Sequence, residues 1–145
     1  MADWEFTHSV DAKVSPRQAW DFWTNVDNWA LDTALEWVRL DRPFGTGARG
    51  TTKSRGVDQP VEWIVKEAFP PRSAVIEIAV PGAVVAFHWT FEPGPEGGAR
   101  LTQRASVSGP KAADYSPGLS ADLAPNMPVG MQKLADAMNR SLGIE

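Results

Sequence analysis

The sequence predicts an α+β two-layer domain, with a curved antiparallel sheet of about seven strands lying against one long C-terminal helix. Three observations carry this expectation. Between Trp37 and Ser108, alternating apolar and polar runs follow one another with Gly- and Pro-rich turns between them. Links this short join antiparallel neighbours. The C-terminal stretch changes period, with Met127, Met131, Leu134, Met138 and Leu142 forming one helical stripe. Helices on one side of such a sheet make a two-layer fold.

Taken in order, Trp4 to Val14 alternates cleanly and reads as a half-buried strand. Ser15, Pro16 and Gln18 supply an N-cap, a first helical residue and the closing partner of a capping box. A helix through Ala19, Trp20, Phe22 and Trp23 follows, then a second short helix over roughly Val26 to Leu35. Strands are expected at Trp37–Leu40, Ala48–Arg55, Val61–Phe69, Ser73–Val80, Ala83–Glu92 and Ala99–Ser108. Pro93 to Gly98 is the plainest hairpin loop. Lys111 to Gly118 reads as irregular. Pro125 and Pro128 require the last helix to begin near Asn126, or an earlier segment to kink there. On its polar side, Lys133, Asp136 and Arg140 are spaced to pair across one turn.

The chain of 145 residues fits one domain, 1–145, with 43% apolar and 22% charged residues. The net charge of −4 disfavours nucleic acid as a partner, because such affinity comes from neutralising phosphates. The absence of cysteine excludes disulfides, thiolate zinc sites and cysteine nucleophiles. Two histidines without acidic neighbours at ligand spacing give no metal site and call for no cofactor. No apolar run is long enough for a membrane span, and Met1 to Glu5 shows no secretory signal, so a cytoplasmic location is expected. Asn139-Arg140-Ser141 matches a glycosylation sequon but lacks that secretory context. Seven tryptophans in so short a chain must be buried or must line something.

Three stretches carry a family likeness: Val10-Asp11-Ala12 through Pro16 to Trp20; Phe44-Gly45-Thr46-Gly47 with Gly50; and Pro81-Gly82 through Phe87, Phe91-Glu92-Pro93 and Gly97-Gly98 to Arg100-Leu101-Thr102. With this element order, the chain resembles the START-like (SRPBCC) superfamily. Within it, the text is most similar to small bacterial polyketide cyclase/dehydratase-type proteins. The likeness spans nearly the whole chain, but its motifs are those of sheet and turn. It implies a helix-grip fold with a hydrophobic ligand cavity, and it fixes no reaction. Members often carry two tryptophans in the second helix. Here Trp29 is followed by Ala30-Leu31-Asp32, and the second is missing.

Gly45-Thr46-Gly47-Ala48-Arg49-Gly50 spells a dinucleotide-binding pattern, but a polar strand follows where a helix is needed, so it reads as a hairpin turn. On the strand from Ala83, the parity of Val85, Phe87, Trp89 and Phe91 puts the aromatic side inward. Val85, Phe87, Trp89, Trp63, Met127 and Met131 are therefore candidate cavity walls. Tyr115, before the last helix, is a candidate gate. Three polar residues are candidates for chemistry. His8 lies on the apolar parity of the first strand, as either an acid–base group or an ordinary core histidine. Gln103 sits on an apolar face and must find a hydrogen bond from protein or ligand. Glu67 follows Trp63 and Val65 in parity and could act as a base. His88 and Glu77 should face outward. Arg49, Lys53 and Arg55 form a basic stripe, most simply a solvated face.

The functional expectation is a cavity for a small hydrophobic, aromatic or polyketide-like molecule. In one reading the chain is a cofactor-free cyclase or dehydratase that works by enforcing ligand shape. In others it is a non-catalytic carrier or a protein-interaction module, with a homodimer left open.

Overall fold

The computed structural model describes residues 4–31 and 35–141. Strand β1 (Trp4–Ala12) leads into helix α1 (Pro16–Thr24) and a 3-10 helix (Val26–Leu31). Strands β2 (Leu35–Leu40), β3 (Arg49–Ser54), β4 (Val61–Phe69), β5 (Ser73–Val80), β6 (Ala83–Pro93) and β7 (Ala99–Ser108) follow, and helix α2 (Ala112–Ser141) closes the chain. The order across the sheet is β1-β7-β6-β5-β4-β3-β2, antiparallel throughout. The two terminal strands in this order are sequence neighbours, and α1 with the 3-10 helix bridges between them.

The capping box forms as the residues dictate. Ser15 Oγ accepts from the Gln18 amide at 3.1 Å, and Gln18 Oε1 accepts from the Ser15 amide at 2.9 Å. Trp20 and Trp23 then face the sheet, meeting Phe44 and Phe91 mostly edge-on. This aromatic cluster closes one end of the molecule. A second, smaller cluster of Ala83, Val85, Val107 and Ala112 closes the other, with Tyr115 and Leu119 packed on it.

Two expectations give way. The second short helix is a 3-10 helix ending at Leu31, and Leu35 already belongs to β2; positions 32–34 lie outside the described residues. Lys111 to Gly118 is not irregular, since α2 begins at Ala112 and runs on through Pro117, Pro125 and Pro128. Packing of the helix against β1 holds a helical backbone that local sequence disfavours. The apolar stripe of Met127, Met131 and Met138 is buried as its spacing requires, while Leu142 lies outside the described residues.

Candidate functional site

Where α2 leaves the sheet, a cavity of about 840 Å³ opens between them. That is the size of a small-molecule site. Trp63, Phe87 and Trp89 line it from the sheet, with Met127 and Met131 from α2. Val61, Thr52, Ser54 and Leu35 form the sheet-side lip. Asn126, Gly130, Lys133, Ala137 and Arg140 lie along the facing side of α2.

Four of the seven tryptophans line this space, and they touch in series. Trp63 stacks on Trp29 at 5.2 Å, Trp29 meets Trp23 at 5.8 Å, and Trp23 meets Trp89 at 5.1 Å. The angles between successive planes stay at or below 35°. Hydrogen bonds fix two of the indoles. Trp63 Nε1 donates to Thr52 Oγ1 at 2.8 Å, and Trp29 Nε1 to the Trp23 carbonyl at 2.7 Å. Gly50 makes this geometry possible: it pairs with Trp63 across the strands, and a Cβ there would overlap the indole ring.

Gln103 brings an amide into this apolar wall. It pairs with Trp89 on one side and His8 on the other, so the three occupy one row across the inner face of the sheet. Its side chain has no hydrogen-bond partner among the described residues. His8 shares the inner face, half-buried between Phe6 and Val10, but does not line the cavity.

The remaining candidates stand elsewhere. Glu67 is exposed on the outer face. A β-bulge between Val65 and Glu67 inserts one residue into β4 and reverses its parity, so Glu67 lies opposite Val75. Val85 belongs to the small cluster at the far end, not to the cavity. Tyr115 is tied down at that same end, its hydroxyl donating to the Pro81 carbonyl at 2.7 Å. His88 faces outward, where burial and the Arg104 guanidinium push its imidazole below the usual value, with Glu67 opposing weakly. In the basic stripe, Lys53 pairs with Glu36 at 3.2 Å. The Gly45–Gly50 segment is a turn leading into the start of β3, as its sequence context requires, with Gly47 at φ 89°.

Spacing did not reveal Trp23 and Trp29 as cavity residues, because they stand on α1 and on the 3-10 helix rather than on a strand with readable parity. The signal available was the number of tryptophans itself. Among the described residues, no three His, Asp or Glu side chains converge as metal ligands, and no helix is long and apolar enough to cross a membrane.

A family model described as polyketide cyclase / dehydrase and lipid transport matches residues 3–139. No curated protein sequence matches the chain. Among solved structures, truncated norcoclaurine synthase from Thalictrum flavum superposes with a TM-score of 0.75 at 8% identity, over 98% of this chain and 95% of that one. Ara h 8.0201 gives 0.74 at 11% identity, over 93% and 97%. The di-domain ARO/CYC BexL, from the BE-7585A biosynthetic pathway, gives 0.69 at 17% identity, over 92% of this chain and 49% of its own length. At such identities these structures establish the helix-grip fold and nothing of the chemistry.

Proposed function

Because the chain belongs to the polyketide cyclase / dehydrase and lipid transport family, we propose that its cavity binds a planar aromatic or polyketide-like molecule and holds it in one folded shape. The observation that carries this reading is the series of indoles ending beside an uncommitted amide. Trp63, Trp29, Trp23 and Trp89 offer a large rigid apolar surface, and Gln103 offers an amide NH2 donor and a carbonyl acceptor beside it. A ligand carbonyl or hydroxyl over Trp89 satisfies Gln103 while its ring system lies against the indoles. Confinement of that kind orders a flexible chain before any bond forms, which is the main contribution such a site can make to a cyclisation.

Carriage without catalysis is the second reading. One arrangement favours it: among the described residues lining the cavity, the ionisable groups Asp122, Lys133, Asp136 and Arg140 all belong to α2 and none lies on the sheet beside Gln103. The interaction-module reading finds less support, because the cavity is open rather than collapsed.

Native mass spectrometry of freshly purified protein, followed by denaturing extraction, tests the proposal. A discrete aromatic or polyketide-like mass supports it and supplies the compound for a turnover assay. Conversion of that compound favours the cyclase, and its unchanged release favours the carrier. A protein that is empty and also ignores a panel of aromatic compounds overturns both.

A further inference from the structure

We infer that the ligand of this cavity is an aromatic acid, received with its rings against the indoles and its carboxylate at the mouth between Lys133 and Arg140. The inference deepens the ligand-binding reading above and rests on it.

The argument starts on α2. Met127, Met131 and Leu134 form the row that faces the core, and Gly130, Lys133, Ala137 and Arg140 form the neighbouring row, three or four residues apart. Both rows border the cavity. The small residues Gly130 and Ala137 leave the opening clear, and the two cations flank it.

Asp136 stands at ion-pair spacing from both cations, three residues after Lys133 and four before Arg140. The pairs expected from that spacing do not form. Asp136 Oδ1 instead accepts from Gln132 Nε2 at 3.0 Å. Neither Lys133 nor Arg140 makes an ion pair among the described residues. The other acid on this side, Asp122, is held by Asn126 Nδ2 at 3.0 Å and lies roughly 16 Å along the helix from Lys133. Lys133 and Arg140 are thus uncommitted, and the one carboxylate between them, Asp136, is held by Gln132.

Across the opening, Leu35 and Val61 carry no charge. An anion that enters beside them meets two unpartnered cations whose side chains are long enough to converge on one carboxylate. The rest of the molecule then reaches the indoles and Gln103. A cationic ligand would have to pass the same two charges, and a neutral one would leave them idle.

Quenching of tryptophan fluorescence measures this with three probes of one ring system: naphthoate, its methyl ester and naphthylmethylammonium. Naphthoate is expected to bind about three- to tenfold tighter than the ester at low salt, as partly exposed ion pairs allow, and to lose that advantage at high salt. In the Lys133→Ala/Arg140→Ala double variant the ratio of acid to ester affinity falls to about one, and continued binding of the ester shows that the cavity still forms. The inference is overturned if the acid binds no tighter than the ester, if the ammonium binds best, or if the advantage survives the double variant. If none of the three binds, the ligand-binding reading itself falls and takes this inference with it.

Discussion

Gly50 and Gln103 show how much of the site rests on single side chains. Gly50 has no Cβ because the Trp63 indole occupies that space, held there by Thr52 and by Trp29 on its other side. Gly50→Ala therefore forces a well-packed ring to move, at an expected cost of about 1–3 kcal/mol. Chemical denaturation measures the loss, and the displaced indole should change its emission. An unchanged midpoint would mean that Trp63 has room to shift and that the indole series is not fixed from this end. Gln103 predicts the opposite balance. Its amide has no partner among the described residues, so Gln103→Leu removes no bond seen there and should leave stability unchanged or slightly raised. Affinity for a carbonyl-bearing aromatic compound should fall by about 0.5–1.5 kcal/mol, the worth of one neutral hydrogen bond. Lost stability with intact affinity would make Gln103 a structural residue.

Among the elements, the strands were legible and the helices only in part. β4, β5 and β7 begin and end where alternation and turn residues place them, because period two and Gly/Pro punctuation are local properties. The parity of β6 likewise placed Phe87 and Trp89 on the cavity side. Glu67 shows the limit of that method. A bulge is a property of two paired strands, and nothing in Val65-Lys66-Glu67 alone marks where the extra residue falls. The extent of α2 was illegible for a related reason. Three prolines argue against a helix locally, and only the sheet that it covers makes the helix continue. The prolines retain a consequence. Pro125 and Pro128 have no N–H for the carbonyls of Ala121 and Ala124, so this stretch, which also borders the cavity, holds fewer hydrogen bonds than the turns after it. Amides from Ala121 to Gly130 should exchange faster than those from Met131 to Met138. Replacing exposed Pro125 with alanine restores one bond and should raise stability by about 1 kcal/mol, after allowance for the looser unfolded chain. Uniform protection along α2 would show that sheet packing alone governs its order.

For the whole molecule, three groups among the described residues have lowered pKa values, and all act in one direction on acidification. The Arg100 guanidinium hydrogen-bonds Asp11 at 2.9 Å and lowers its pKa. The Arg49 backbone amide does the same for Asp41, also at 2.9 Å, with Arg42 assisting. Burial, with help from Arg104, lowers that of His88. Each group holds its proton less tightly folded than unfolded, so the unfolded chain takes up more protons and stability falls as pH falls. The windows differ. The His88 contribution is complete above its ordinary value near 6.5 and is lost as pH drops from there through its lower folded value. The carboxylate contributions persist until pH drops below the usual carboxylate range. Melting temperature should therefore decline in two stages on acidification. His88→Gln cannot be protonated, so it should flatten the upper stage and leave the lower one. Arg100→Ala should reduce the lower stage alone, because it frees Asp11 without touching His88. A His88→Gln profile that matches the parent between about pH 7 and 5 would show that the imidazole on the outer face of the sheet is too well solvated to couple to folding.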